Sequence, residues 1–180
     1  IGVEMKRRLK EENVMVIDLS SVKPEKDSLV ENMGNVIAML RAMHLWFHAA
    51  HHVSYGMPFG GDHFSLYDKI YTGIQEEIDD FIERAIGLSG KQEVACPMGI
   101  TGEAHRILKE FPSPAKIEGC EMAEGGRTIV KVYLELLDQV SMNIEDAGQM
   151  TRGLDDLIAS SASVHEGYYY LLNQRAIKSR

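Results

Sequence analysis

Five of the seven histidines in this 180-residue chain lie between positions 44 and 63. His44, His48, His51 and His52 recur at helical spacing, so at about 100° per residue they occupy one sector of a helix. His63 follows across a turn from Tyr55 to Asp62. Carboxylates come next: Asp68, then Asp79 eleven residues on, then Glu83 four residues further. Imidazole with carboxylate suits redox-active iron, and a site of one or two carboxylates plus histidine leaves coordination positions open for an oxidant. Asp79 and Glu83 share a helix face, and Asp68 lies near that face but about 16 Å away along the axis. One chain therefore cannot bring all these groups onto one metal. Spacing alone also fits a plainer reading, in which lone histidines pack structurally and the acids form a solvated face, Glu83 pairing with Arg84 or a residue a turn away.

The elements that must hold these residues are helices, because apolar residues three and four apart dominate and strict alternation is scarce outside Asn13 to Asp18. The periodicity predicts a first helix from about Asp27 to Ser54, with Val36, Ile37, Leu40, Met43, Leu45 and Phe47 supplying apolar faces. A second runs from about Asp62, a plausible N-cap after Gly60-Gly61, to Leu88. Residues 89–126 form a long crossover with a short helix over Thr101 to Phe111. A third helix spans Arg127 to Ala147 and a fourth Thr151 to Ala176, parted at Gly148. Two helices, a crossover and two helices make an all-α, ferritin-like four-helix bundle. One domain covers 1–180, with 1–26 as an N-terminal arm.

Composition narrows the function. Lys plus Arg number 19 and Asp plus Glu 27, a net charge of -8, which disfavours a surface built to grip nucleic-acid phosphates. No apolar stretch reaches the length of a membrane span, and no signal-peptide pattern is visible. Two cysteines, Cys96 and Cys120, are too few for a disulfide framework and point to reduced thiols in a cytoplasmic protein. Met33, Met39, Met43 and Met57 read as core filler. His165 reads as structural or surface, and the default for Glu76, Glu77 and Asp80 is a solvated face.

The stretch from His51 through Gly56, Phe59, His63, Asp68 and Asp79 to the Glu83-Arg84 pair resembles the signature of the Dps family, mini-ferritins of the ferritin-like superfamily. The steps of twelve from His51 to His63, eleven from Asp68 to Asp79 and four to Glu83 carry the likeness. The fourth helix, from Gly153 through Tyr170, is also similar. The resemblance implies a ferroxidase that oxidises ferrous iron with peroxide or dioxygen and stores ferric mineral in a hollow shell of twelve subunits. It implies an iron site at the two-fold interface, with His51 and His63 from one subunit and Asp68, Asp79 and Glu83 from its partner. Of these, His51, His63, Asp68 and Glu83 would be catalytic, with His48 and His52 as further candidate ligands. Glu145, Asp146 and Asp155 would line an iron entry pore.

The sequence departs from the family pattern in three places. The step from His63 to Asp68 is five residues rather than four, which places one extra residue in the Gly60-Gly61-Asp62 turn and displaces His63. His52 replaces the aromatic that usually follows the first histidine. The crossover is longer than usual. An alternative function is DNA coating with little ferroxidase activity, its support being Lys6-Arg7-Arg8 with Lys10, and Arg175, Lys178 and Arg180. Glu11-Glu12 dilutes the first of these clusters.

Overall fold

The computed structural model describes residues 28–177. The N-terminal arm, with its basic cluster and the alternating run Asn13 to Asp18, lies outside the described residues, as do Lys178 and Arg180. Helix α1 spans Ser28–Val53, α2 Asp68–Ser89, α3 Pro97–Leu108, α4 Gly119–Asp146 and α5 Arg152–Ala176, with no strand among the described residues. Helix α1 packs on α2, α3 and α4, and α4 packs on α5. The chain thus forms the expected all-α four-helix bundle with a short helix in the crossover.

Burial explains why α1 sits centrally. Met33, Val36, Ile37, Leu40, Met43 and Phe47 are all fully buried, so its apolar positions cover more than one face. Leu45, read from the sequence as part of an apolar face, is instead exposed, and so is Met57. Helix α5 begins where the sequence put it, because the Thr151 hydroxyl accepts the Leu154 N–H and caps the first turn. Gly90 and Gly148 adopt positive φ and close α2 and the α4–α5 turn.

Two boundaries differ from the sequence reading. Helix α4 begins at Gly119, eight residues before Arg127, and runs straight through Gly125-Gly126. A Cβ at Gly126 would lie 2.9 Å from Phe47 Cε1 and 3.0 Å from Leu172 Cδ2. The glycines are there to let three helices close together, and that packing overrides their low helix propensity. Helix α3 starts one turn early, with Pro97 in its first turn, where the missing N–H costs nothing. The same segment ends at Leu108 rather than Phe111.

The start of the second helix also differs. Helical backbone begins at 59–60, continues as a π-helical turn over Gly61–Tyr67 and runs without a break into α2. Asp62 is no N-cap. It is buried, and Arg175 near the end of α5 grips both its carboxylate oxygens at 2.7 and 2.9 Å. The same guanidinium reaches Cys120 Sγ at 3.4 Å. Arg175 therefore ties the bundle together and is not part of a solvated basic patch. Cys96 and Cys120 are both free thiols. No helix among the described residues is long and apolar enough to cross a membrane.

Candidate metal centre

The histidines at the C-terminal end of α1 meet the π-helical turn. The His51 and His63 rings stack at 3.7 Å between centroids, 20° from parallel. Each ring is held by the other residue's backbone: His51 Nδ1 donates to the His63 carbonyl at 3.0 Å, and His63 Nδ1 donates to the His51 carbonyl at 2.8 Å. With both Nδ1 hydrogens so used, each Nε2 carries a lone pair, which is the form that ligates a metal. His51 is buried and His63 half-buried, and Phe59 stacks on the outer face of His63 at 4.7 Å. The pair is rigid and pre-oriented.

The extra residue between His63 and Asp68 is absorbed by the wider winding of Gly61–Tyr67, whose closing bond runs from the Asp68 N–H to the His63 carbonyl, five residues back. A π turn takes up one inserted residue without breaking the helix. His63 faces His51 directly. Asp68 Oδ1 lies 4.0 Å from His51 Nδ1 of its own chain. The resemblance grouped Asp68 with the acids of the partner; the structure groups it with the histidines.

Asp79 and Glu83 are exposed on α2, eleven and fifteen residues beyond Asp68. At 1.5 Å per residue they stand about 16 and 22 Å from it along the helix. Neither is in an ion pair with a described residue, so the local pairing of Glu83 with Arg84 is not formed. Among the described residues, no three His, Cys, Asp or Glu side chains within this one chain gather as a metal cluster. His51, His63 and Asp68 lie together where the first helix meets the start of α2, and Asp79 and Glu83 lie apart from them, in the middle and second half of α2.

Tyr71 was not legible in the sequence. It lies among the histidines, its ring 4.8 Å from His48 and 5.3 Å from His51. Its phenol is raised above the ordinary range, by burial first and then by the nearby Asp68 carboxylate. His44 edges onto Tyr71 and is held below the ordinary histidine range by burial, then by Arg41 and His48. His52 is exposed, and its Nε2 lies 3.0 Å from His48 Nε2.

A second polar cluster lies inside the bundle, where Glu77 departs from the solvated face expected of it. Ser161 donates to Glu77 Oε2 at 2.6 Å, and Tyr133 bonds Ser161 at 2.7 Å. His165 is fully buried, donates to the Ser161 carbonyl and has Nδ1 3.7 Å from Glu77. Burial holds its imidazole down to about 3, so it is neutral and structural. The run Gln75-Glu76-Glu77 gives no local sign of which acid turns inward.

No protein-family model and no curated protein matches the chain. Solved structures do. Over 86% of this chain and 93% of the other, it is similar to Dps from Thermosynechococcus elongatus, with a TM-score of 0.72 and 19% identity. Over 89% of this chain and 97% of the other, it is similar to the Dps protein of Vibrio cholerae O1, with a TM-score of 0.69 and 20% identity. The chain has the Dps fold. The Vibrio protein is described as a member of a broad superfamily of ferritin-like diiron-carboxylate proteins. In the Dps fold adopted here, the stacked histidines close the α1 end of the first hairpin, while Glu145, Asp146 and Asp155 are exposed around the α4–α5 turn.

Proposed function

We propose that this chain is a subunit of an iron-storing mini-ferritin that oxidises ferrous iron at a site completed by a second copy of itself. The reciprocal locking of His51 and His63 is the observation that carries this reading. Two imidazoles are held rigid by each other's backbone with Nε2 unengaged, a device that raises ligand basicity and fixes orientation. Asp68 supplies a carboxylate beside them, and Asp79 and Glu83 of a two-fold partner would supply the rest. The exposed Phe59 and Phe64 pack against His63, and with the exposed Tyr55 and Met57 of the preceding turn they suit a surface that another subunit covers.

Iron is the substrate. Peroxide takes one electron from each of two ferrous ions and leaves as hydroxide, and dioxygen serves more slowly. The ferric product then hydrolyses to mineral within a shell of twelve subunits in the cytoplasm. Consuming ferrous iron and peroxide together keeps them from forming hydroxyl radicals. The exposed acids Glu145, Asp146 and Asp155 would give an entry pore its negative potential.

Anaerobic ferrous titration of the assembled protein, followed by a peroxide pulse, tests the reading. His51→Ala with Asp68→Ala should slow oxidation at least about tenfold, the usual cost of disturbing a metal site. An unchanged rate would refute it and leave a non-catalytic helical assembly. For the DNA-coating alternative, a gel shift that weakens steeply with salt is the check.

A further inference from the structure

We propose that His48 and His52 form a second metal site, separate from the His51/His63 pair, which chelates a divalent late transition metal, copper(II) in preference to zinc. The two residues stand one turn apart on α1, and their Nε2 atoms are 3.0 Å apart. The ring centroids are 4.6 Å apart with planes 66° apart. That is closer than a collinear, head-to-head meeting of the two nitrogens allows, so the lone pairs are not aimed straight at each other.

The separation selects the metal. An ion bound at 2.0–2.1 Å from each nitrogen would subtend an angle of about 95° between them. That is a cis angle of tetragonal coordination, which copper(II) and nickel(II) favour with nitrogen ligands, whereas tetrahedral zinc needs the nitrogens further apart. Copper(II) also binds nitrogen sites most strongly of the divalent first-row ions.

The surroundings suit a bound ion. His48 is braced by Tyr71 at 4.8 Å and by the stacked His44 at 5.9 Å, so little side-chain freedom remains to be lost on binding. His52 is exposed, which leaves the remaining coordination positions to water. The His51/His63 pair spends its Nδ1 atoms on backbone carbonyls, whereas this pair meets through Nε2. Without a metal, one ring must donate a hydrogen to the other. On binding, that hydrogen moves to Nδ1 of its own ring, both imidazoles stay neutral, and both Nε2 lone pairs go to the ion.

Copper(II) titration of the full-length, assembled protein tests this independently of iron oxidation, by equilibrium dialysis for the count and electron paramagnetic resonance for the ligands. In the His51→Ala/His63→Ala chain, one copper per subunit with coupling to two nitrogens should remain, and adding His52→Gln should weaken it at least about tenfold, since a chelate loses its second arm. Should that chain fail to assemble, His52→Gln alone in the otherwise unaltered protein should lower the copper count by one per subunit. A count and nitrogen pattern untouched by both His48→Gln and His52→Gln would overturn the site. Zinc binding there more tightly than copper would overturn the assignment of the metal.

Discussion

Glu77 makes the stability of this bundle depend on pH in a way that one substitution isolates. Its carboxyl is pushed up from the ordinary 4.5 to about 7, first by burial and against the hydrogen bond from Ser161, with nearby Asp80 adding to the rise. Its second oxygen, Oε1, is buried without a partner, so nothing in the bundle compensates a full charge there. A raised folded-state value means that this group's stability is fully present below about pH 4.5, where folded and unfolded chains both hold the proton. It is lost as pH rises, because the unfolded chain ionises first, and the loss levels off above about pH 7. At about 1.4 kcal/mol per tenfold change in proton affinity, the change is about 3 kcal/mol.

His165 works the other way. Its value is held down to about 3, so its contribution is full above about pH 6.5 and falls away as pH drops toward 3. Glu77→Gln leaves that residue in place and keeps an amide oxygen to accept the Ser161 hydroxyl, so the difference from the native chain reports Glu77 alone. Urea unfolding at fixed protein concentration should find the variant near parity at pH 4.5 and more stable by up to about 3 kcal/mol at pH 8. In the native chain, the infrared carbonyl band of a protonated carboxyl should vanish as pH passes about 7. A stability difference that does not change with pH, or a variant less stable at pH 8, would refute the reasoning.

Two further outcomes follow from the packing. Asp62→Ala should cost about 3 kcal/mol, because it leaves the Arg175 guanidinium partly buried without its partner; the Asp62→Ala/Arg175→Met double variant should recover part of that loss in a double-mutant cycle. Deleting the exposed Ser65 should let 59–67 wind as an ordinary α-helix and leave ferrous oxidation and shell size intact. Deleting the exposed Gln75 should abolish oxidation, because it turns Asp79 and Glu83 by about 100° relative to Asp68; equal effects of the two deletions, measured by gel filtration and peroxide-driven oxidation, would show that the π turn is not what absorbs the added residue.

The long helices were legible because their apolar residues repeat at the helical period and their ends carry strong signals: Thr151 before α5, Gly90 after α2. The failures share one cause. Gly125-Gly126 read locally as a helix breaker, yet contacts with Trp46, Phe47 and Leu172, up to eighty residues away, are what select glycine there. Asp62 looked like a cap because it follows two glycines, and only its distant partner Arg175 shows why an acid is buried at that point. Glu77 is one of three consecutive polar residues, and which of them turns inward depends on where Ser161 arrives. The spacing of His51, His63, Asp79 and Glu83 was legible because a helix converts spacing into direction. The closeness of Asp68 to His51 was not, because it depends on the π winding of Gly61–Tyr67, which nothing in the local sequence announces.

That winding decides more than one residue's position. An inserted residue in an α-helix rotates everything beyond it by about 100°. Placed between Asp68 and Asp79, it would turn Asp79 and Glu83 by that angle relative to Asp68. Placed before His63, it would break the twelve-residue step that lets the two histidines bond each other's carbonyls. Between His63 and Asp68 the helix can widen, and the His63 carbonyl that accepts the five-residue bond from Asp68 is the same one that accepts His51 Nδ1. One backbone oxygen therefore links the phase of the acidic face to the orientation of the histidine pair. The chain departs from the pattern it resembles at a position where both halves of the proposed site keep their geometry.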